Sequence, residues 1–170
     1  MPELVTSPRD LLAFRLRSML WTELKLADEV LPQLLEQARS TDLAYGFERH
    51  LLETREHART LREVLEHLGV PGDPEESAAL KGLVSEHEQL VKRLGDDHLL
   101  LDLAYGEAAA HIEHLEMSAY DALASVADAL GEEELGTTLR GLMEQEQFAL
   151  EQVERAVTKL LAEKVEAGRT

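Results

Sequence analysis

Apolar residues recur every three to four positions along most of the chain, and nowhere do they alternate at the period of a strand. A first run carries Leu16, Leu20, Leu24, Ala27, Leu31 and Leu34 on one helical face, and a second, from Asp42 to Leu68, carries Leu43, Phe47, Leu61, Val64, Leu65 and Leu68. Ala108, Ile112, Leu115, Ala119, Leu123 and Val126 mark a third stripe; Leu139, Leu142, Met143, Leu150, Val153 and Val157 mark a fourth. Punctuation between the runs is clean. Ser7-Pro8-Arg9-Asp10 combines a hydroxyl cap, proline at the first helical position and an early acid, so a helix begins there and runs to about Arg39. Ser40-Thr41-Asp42 caps the second helix, which Gly69 ends. Asp73-Pro74 predicts a further start, for a shorter helix with Leu80, Leu83, Val84, Leu90, Val91 and Leu94 on one face, stopping at Gly95. Asp96 or Asp97 opens a helix to Leu130, and Glu132-Glu133-Glu134 supplies acid to the start of a last one reaching about Glu166.

Four long helices with tight turns predict an all-α bundle, a single domain over 1–170. The connection between the second and third long helices is itself a helix of about 20 residues, which at ~1.5 Å per residue covers roughly 30 Å. Such a crossover returns the chain to the end where the second helix began, leaving the second and third long helices parallel. That is the topology of ferritin-like bundles.

The stripes are not purely apolar. His50 and His57 project along the direction of Leu43 and Leu61, with Glu53 near that stripe's edge. Glu23 is the acid closest to the stripe of the first helix. On the third long helix Glu116 and His111 flank the stripe from opposite sides, Glu113 lies further round and His114 is nearly outward. Glu146 falls almost at the centre of the last stripe. An ionised carboxylate in an apolar stripe needs a cation or a proton, because burying an unpaired charge is costly. Singly, an inward histidine is more often a hydrogen-bonded core group and a flanking glutamate more often reaches to water, with Glu146 the residue such a reading fits least. Jointly, Glu23, Glu53, His57, Glu116 and Glu146 match the inward set of di-iron or di-manganese carboxylate bundles, and an oxygen- and nitrogen-only set suits iron or manganese.

Charge and composition narrow the field. Thirty-four acidic against 17 basic residues give a net charge of −17, which argues against nucleic-acid and anionic-membrane partners. The absence of cysteine removes disulfides, thiolate ligands and thiol catalysis. No apolar run reaches the ~18 residues of a membrane span, and no signal-peptide pattern opens the chain, so a cytoplasmic location is expected. No phosphate-binding glycine loop and no serine-nucleophile frame is found.

Three segments resemble the bacterial ferritin-like stress-protein family of the YciE/YciF type: His50-Leu51-Leu52-Glu53-Thr54-Arg55-Glu56, the run from Ala108 through His111-Ile112-Glu113-His114-Leu115-Glu116 to Tyr120, and Leu31-Pro32-Gln33-Leu34. The resemblance spans roughly 10–160. It implies a ferritin-like fold and a carboxylate-rich metal site, with Glu53, Glu113, His114 and Glu116 at the family's characteristic positions. Two departures stand out. Ungapped counting back from Leu31-Pro32 sets the family's first-helix glutamate opposite Leu24, one residue from Glu23. On the last helix, Leu150 replaces a polar residue four positions after Glu146, which removes a second ligand there unless Glu151 or solvent substitutes.

The expected metal ligands are therefore Glu23, His50, Glu53, His57, Glu113, Glu116 and Glu146, with Glu53 and Glu116 as bridging candidates and His57 and Glu23 as terminal ones. The expected function is an iron- or manganese-binding bundle that oxidises Fe²⁺ or consumes peroxide under stress. The alternative is a metal-free interaction protein with a degenerate site. A homodimer is expected, since the apolar face of the crossover helix must be covered by the bundle or by a second subunit.

Overall fold

The computed structural model describes residues 4–167, with side chains through 163; residues 1–3 and 168–170 of the expected domain lie outside the described residues. The first helix, α1, is not uniform: Pro8–Lys25 is α-helical, Leu26–Val30 forms a π-turn, and Leu31–Gln37 is α-helical again. Pro32 explains the change of pitch. It has no N–H to offer residue 28, and in an α-helix its ring would strike that carbonyl. A turn wider by one residue removes the clash, and the Leu31 N–H reaches the Leu26 carbonyl five residues back.

Four further helices follow: α2 (Thr41–His67), α3 (Ala78–Leu94), α4 (His98–Ala129) and α5 (Glu133–Ala167). Their caps are local chemistry. The side chains of Ser7, Ser40 and Ser77 accept from the N–H groups of Asp10, Leu43 and Leu80, and Asp97 accepts from Leu99 and Leu100. Gly69, Gly95 and Gly131 take the positive φ that ends α2, α3 and precedes α5.

The start expected at Asp73-Pro74 is displaced to Ser77. Residues 70–77 instead cross α1, held there by Arg17, which donates to the Asp73 carbonyl at 3.0 Å and to the Glu75 carboxylate, while Glu75 N–H donates to the Arg17 carbonyl. Those tertiary bonds outcompete the local Asp-Pro signal.

The long helices form a ring in the order α1, α2, α5, α4. Paired residues across α2 and α4 advance together, Leu43 beside Gly106, His50 beside Glu113 and His57 edge-on to Tyr120, so these two helices run parallel. Opposite-sense pairs elsewhere, such as Asp42 with Lys159 and Asp128 with Arg140, make the remaining neighbours antiparallel. The crossover α3 lies along the outside of α4. At Gly106 a Cβ would run into the Val157 side chain, which is how closely α4 approaches α5.

The stripe read for α4 is turned by about one residue, roughly 100°. The buried face is Tyr105, Ala109, Ile112, Glu113, Glu116, Tyr120, Leu123 and Ala127, not the line through Ala108, Leu115, Ala119 and Val126. Those four are half-buried on a second apolar face: Ala108 lines one cavity with Leu83 of α3, and the others line another with Leu11 and Phe14 of α1 and Ala79 of α3. A helix covered on two sides carries two stripes, and their average points between them.

Candidate metal centre

Two apolar clusters fill the ends of the bundle, and the layer between them is polar. Glu23 sits between Leu20 and Leu26, His50 and His57 between Phe47 and Leu61, Glu113 and Glu116 between Ile112 and Tyr120, and Glu146 between Leu142 and Leu150. All six polar side chains are buried, Glu23, Glu116 and Glu146 completely.

Their atoms converge on two points. His50, Glu113, Glu116 and Glu146 each bring one ligand atom into a group whose members lie within 4.8 Å of one another, and Glu23, His57 and Glu146 form a second such group. Bonds of about 2.0–2.2 Å separate any two ligands of one ion by at most ~4.4 Å, so the spacing is near what a shared ion requires. Glu146 belongs to both groups. Its Oε1 lies 2.7 Å from His57 Nδ1 and its Oε2 lies 3.7 Å from His50 Nε2, so its two oxygens face different halves of the centre.

The layer is poorly satisfied by its own members. Nine of its buried side-chain atoms make no hydrogen bond: Glu23 Oε2, both nitrogens of His50, His57 Nδ1, Glu113 Oε2, and both carboxylate oxygens of Glu116 and Glu146. Even the 2.7 Å approach of His57 to Glu146 lacks hydrogen-bond geometry. Native interiors leave few such atoms, and each calls for an explanation. Four carboxylates and two imidazoles converge on common points with most of the atoms they turn inward unbonded. The two groups could each hold a metal ion.

The electrostatics of the layer without a cation show what it must do instead. Burial pushes the carboxyls of Glu113 and Glu116 well above the ordinary glutamate range, and neighbouring carboxylates add to the shift. Glu23 is also raised, by burial. Burial pulls the imidazoles down, but adjacent carboxylates win: His50 rises to about 9 beside Glu113, and His57 to about 11 beside Glu146 and Glu23. Glu146 alone is lowered, because the two imidazoles outweigh its burial. Protons stand in for positive charge throughout the layer.

Six of the seven expected ligands come together. The seventh, Glu53, lies at the edge of α2, in neither group; its Oε1 accepts from Arg49 at 2.8 and 3.0 Å and its Oε2 is 3.7 Å from His50 Nδ1. Glu146, not Glu53, occupies the shared position. Glu113, placed further round by the sequence, is 2% exposed and central, for the reason that shifted the α4 stripe. The same rotation leaves His111 exposed, and His114 is exposed as its helical phase indicates. Glu151 is exposed and hydrogen-bonded to Gln147, so it does not replace the polar residue lost at Leu150.

Glu23 reaches the centre because of the π-turn. Counting at α-helical pitch back from Leu31 aims residue 24 inward; the wide turn absorbs one residue and brings Glu23 to that direction, leaving Leu24 half-buried. Two contributors were not singled out in the sequence. Tyr120 donates its hydroxyl to Glu23 Oε1, and Gln145 Oε1 is 3.0 Å from His57 Nε2. Tyr120 follows Glu116 by one helical turn, which was a usable signal; Gln145 carried none.

The fold and this layer define an all-helical bundle of ferritin-like topology with a buried carboxylate–imidazole cluster. The chain belongs to the family described as a domain of unknown function, DUF892, which it matches over residues 7–166. Among solved structures it is similar to the Escherichia coli stress protein YciF, at 21% identity and a TM-score of 0.86, over 93% of this chain and 99% of that one. It is also similar to YcfI of Rhodopseudomonas palustris, at 28% identity and a TM-score of 0.77, over 94% and 96% of the two chains. No functionally curated protein matches the chain.

Proposed function

We propose that this protein binds iron or manganese in the polar layer and protects a stressed cell by oxidising Fe²⁺ or consuming peroxide. The observation that carries the reading is the set of nine unbonded buried atoms arranged about two points that share Glu146. His50, Glu113 and Glu116 would hold one ion and Glu23 and His57 the other, with Glu146 between them; bound there, redox-active metal would supply the electron transfer to oxygen or peroxide. The residues of the chain do the rest. Tyr120 fixes the orientation of Glu23 and Gln145 that of His57, and the apolar layers on either side exclude bulk water. YciF is described as a stress protein, which supports the setting.

One observation favours a metal-free reading: the shifts of His50 and His57 show that protons can neutralise the layer, as in a His–Glu network that only hydrogen-bonds. Metal content of protein purified without chelator separates the two. So does a thermal melt of wild type and Glu146→Gln with and without Mn²⁺, or Fe²⁺ under nitrogen. Ligation by Glu146 predicts a metal-induced rise in wild type that vanishes in the variant, while the metal-free variant melts no lower than wild type. Equal shifts in both proteins, or none in either, would sink it. The homodimer remains a proposal for sedimentation to decide, because the apolar face of α3 that motivated it packs on α4 within the chain.

A further inference from the structure

The buried layer is not equally remote from solvent on all sides. Glu23 and Glu146 have 0% of their side chains exposed and His57 1%, but His50 has 7% and Glu53 23%. That gradient points toward the gap between α2 and α5, where a cleft of about 190 Å³ opens. At ~30 Å³ per molecule it has room for roughly six waters. His50 and Glu113 form its floor, and Phe47, Ala149 and Val153 form apolar walls. The gap exists partly because α2 carries Gly46 on its wall; nothing lies within 4 Å of where a Cβ would stand there.

The mouth has an unusual charge. In a chain of net −17, the rim holds Arg49, Arg155 and Lys159 against Asp42 and Glu53. Each of these cations is paired, Arg49 with Glu53, Lys159 with Asp42 and Arg155 with Glu151, so the mouth is close to neutral. A funnel for divalent cations would carry a negative excess, since clefts of one sign concentrate ions of the other. Across the mouth lies Arg49. Two of its nitrogens bond Glu53 on α2, and its guanidinium carbon stands 4.2 Å from the centroid of the Phe148 ring on α5. This accounts for Phe148, a large aromatic left 39% exposed. Arg49 thus straps one helix to the other over the opening.

We propose that this cleft is the passage by which a small uncharged or anionic oxygen- or nitrogen-donor molecule, of the size of peroxide, dioxygen or azide, reaches the His50–Glu113 face of the buried layer, with Arg49 on Phe148 as its movable cover. The proposal rests on the metal-centre reading for what the molecule meets at the floor, but the passage itself is testable without metal.

Gly46→Leu is the decisive variant. It fills the cleft from a helix interior where leucine is favoured over glycine, so the fold is not at risk. In the metal-free protein, dissolved dioxygen serves as a paramagnetic probe of the imidazole proton signals. Relaxation of His50 should exceed that of His57 in wild type, and Gly46→Leu should bring it down to the His57 level. In protein loaded with iron, azide association followed by stopped-flow absorbance should slow by about tenfold or more in Gly46→Leu, with metal content unchanged, and quicken in Phe148→Ala. Equal His50 relaxation in wild type and Gly46→Leu would overturn the passage. So would equal azide rates at full metal content. A protein that shows the dioxygen pattern but takes up no metal would support the passage while overturning the metal-centre reading.

Discussion

The apolar layers at the ends of the bundle and the polar layer at its middle are equally buried and oppositely built. At the ends, Leu16, Leu61, Leu65 and Leu139 on one side and Leu26, Leu43 and Phe47 on the other are almost wholly removed from water, and each contributes to stability in proportion to the area it hides. In the middle, carboxylates and imidazoles are hidden as completely with few bonds to offset their dehydration. The ends hold the helices together against the tendency of the middle to push them apart. A layer that costs stability and is nevertheless aimed at two common points is where folding and the proposed metal binding pull in opposite directions.

The largest expected effect tests the ends. Leu61→Ala removes a fully buried side chain and should cost about 2–5 kcal/mol in urea unfolding, whether or not metal is present. A loss that metal restores would break the comparison, because it would make the apolar layer part of the centre. Next comes the middle. Glu116, whose two carboxylate oxygens bond nothing, should gain from becoming apolar: Glu116→Leu should stabilise the metal-free protein by about 1–4 kcal/mol and abolish the stabilisation by added Mn²⁺. Destabilisation of the metal-free protein instead would show that the acid is bonded in solution and that the middle is an ordinary hydrogen-bonded core.

The smallest effect lies outside both layers, on α3. His87 is half-buried edge-on to Tyr105, with Glu88 and Glu107 nearby; burial lowers its pKa and the two acids only partly oppose that. With the folded pKa below the unfolded value, the unfolded chain takes up the proton first. The His87 contribution to stability is therefore full above pH 6.5 and is lost as pH falls through the lowered pKa. Unfolding followed from pH 7.5 downward should show this slope in wild type and a shallower one in His87→Gln. Identical slopes would mean that α3 holds His87 less firmly than its burial indicates.

What the sequence revealed and what it hid follow the same division. Helices, caps and the crossover were legible because each depends on a few adjacent residues: Ser40 caps its own helix, and Gly69 ends it without help from elsewhere. Glu146 was legible because α5 buries one face and the acid stands at its centre. Glu113 was named through the family resemblance while its direction was read wrongly, because α4 is apolar on two faces and periodicity does not say which of them is the core. Glu53 stands where helical phase put it, at the edge, and whether an edge acid turns inward depends on Arg49 and Phe148, which only the folded chain brings alongside. The start of α3 was displaced by Arg17, more than fifty residues away in sequence.

The wide turn in α1 has a consequence for how this chain can vary. Phase along a helix is ordinarily unforgiving, for losing one residue swings everything beyond it by about 100°. A π-turn behaves as slack in the line. Asp28 and Glu29 lie within it and are exposed, so deleting one of them lets Leu26–Val30 close to α-helical pitch while Glu23 and Leu31 keep their bearings. Pro32 would then confront a carbonyl in the ordinary way, at up to about 3 kcal/mol. A deletion of Asp28 should therefore melt earlier than wild type yet keep its metal-induced shift, whereas a deletion of Ala13, in the regular part of α1, should leave Leu12 and the residues before it facing the wrong way. By this reasoning, the slack that sets Glu23 in phase with Leu31 is stored one turn away from the centre.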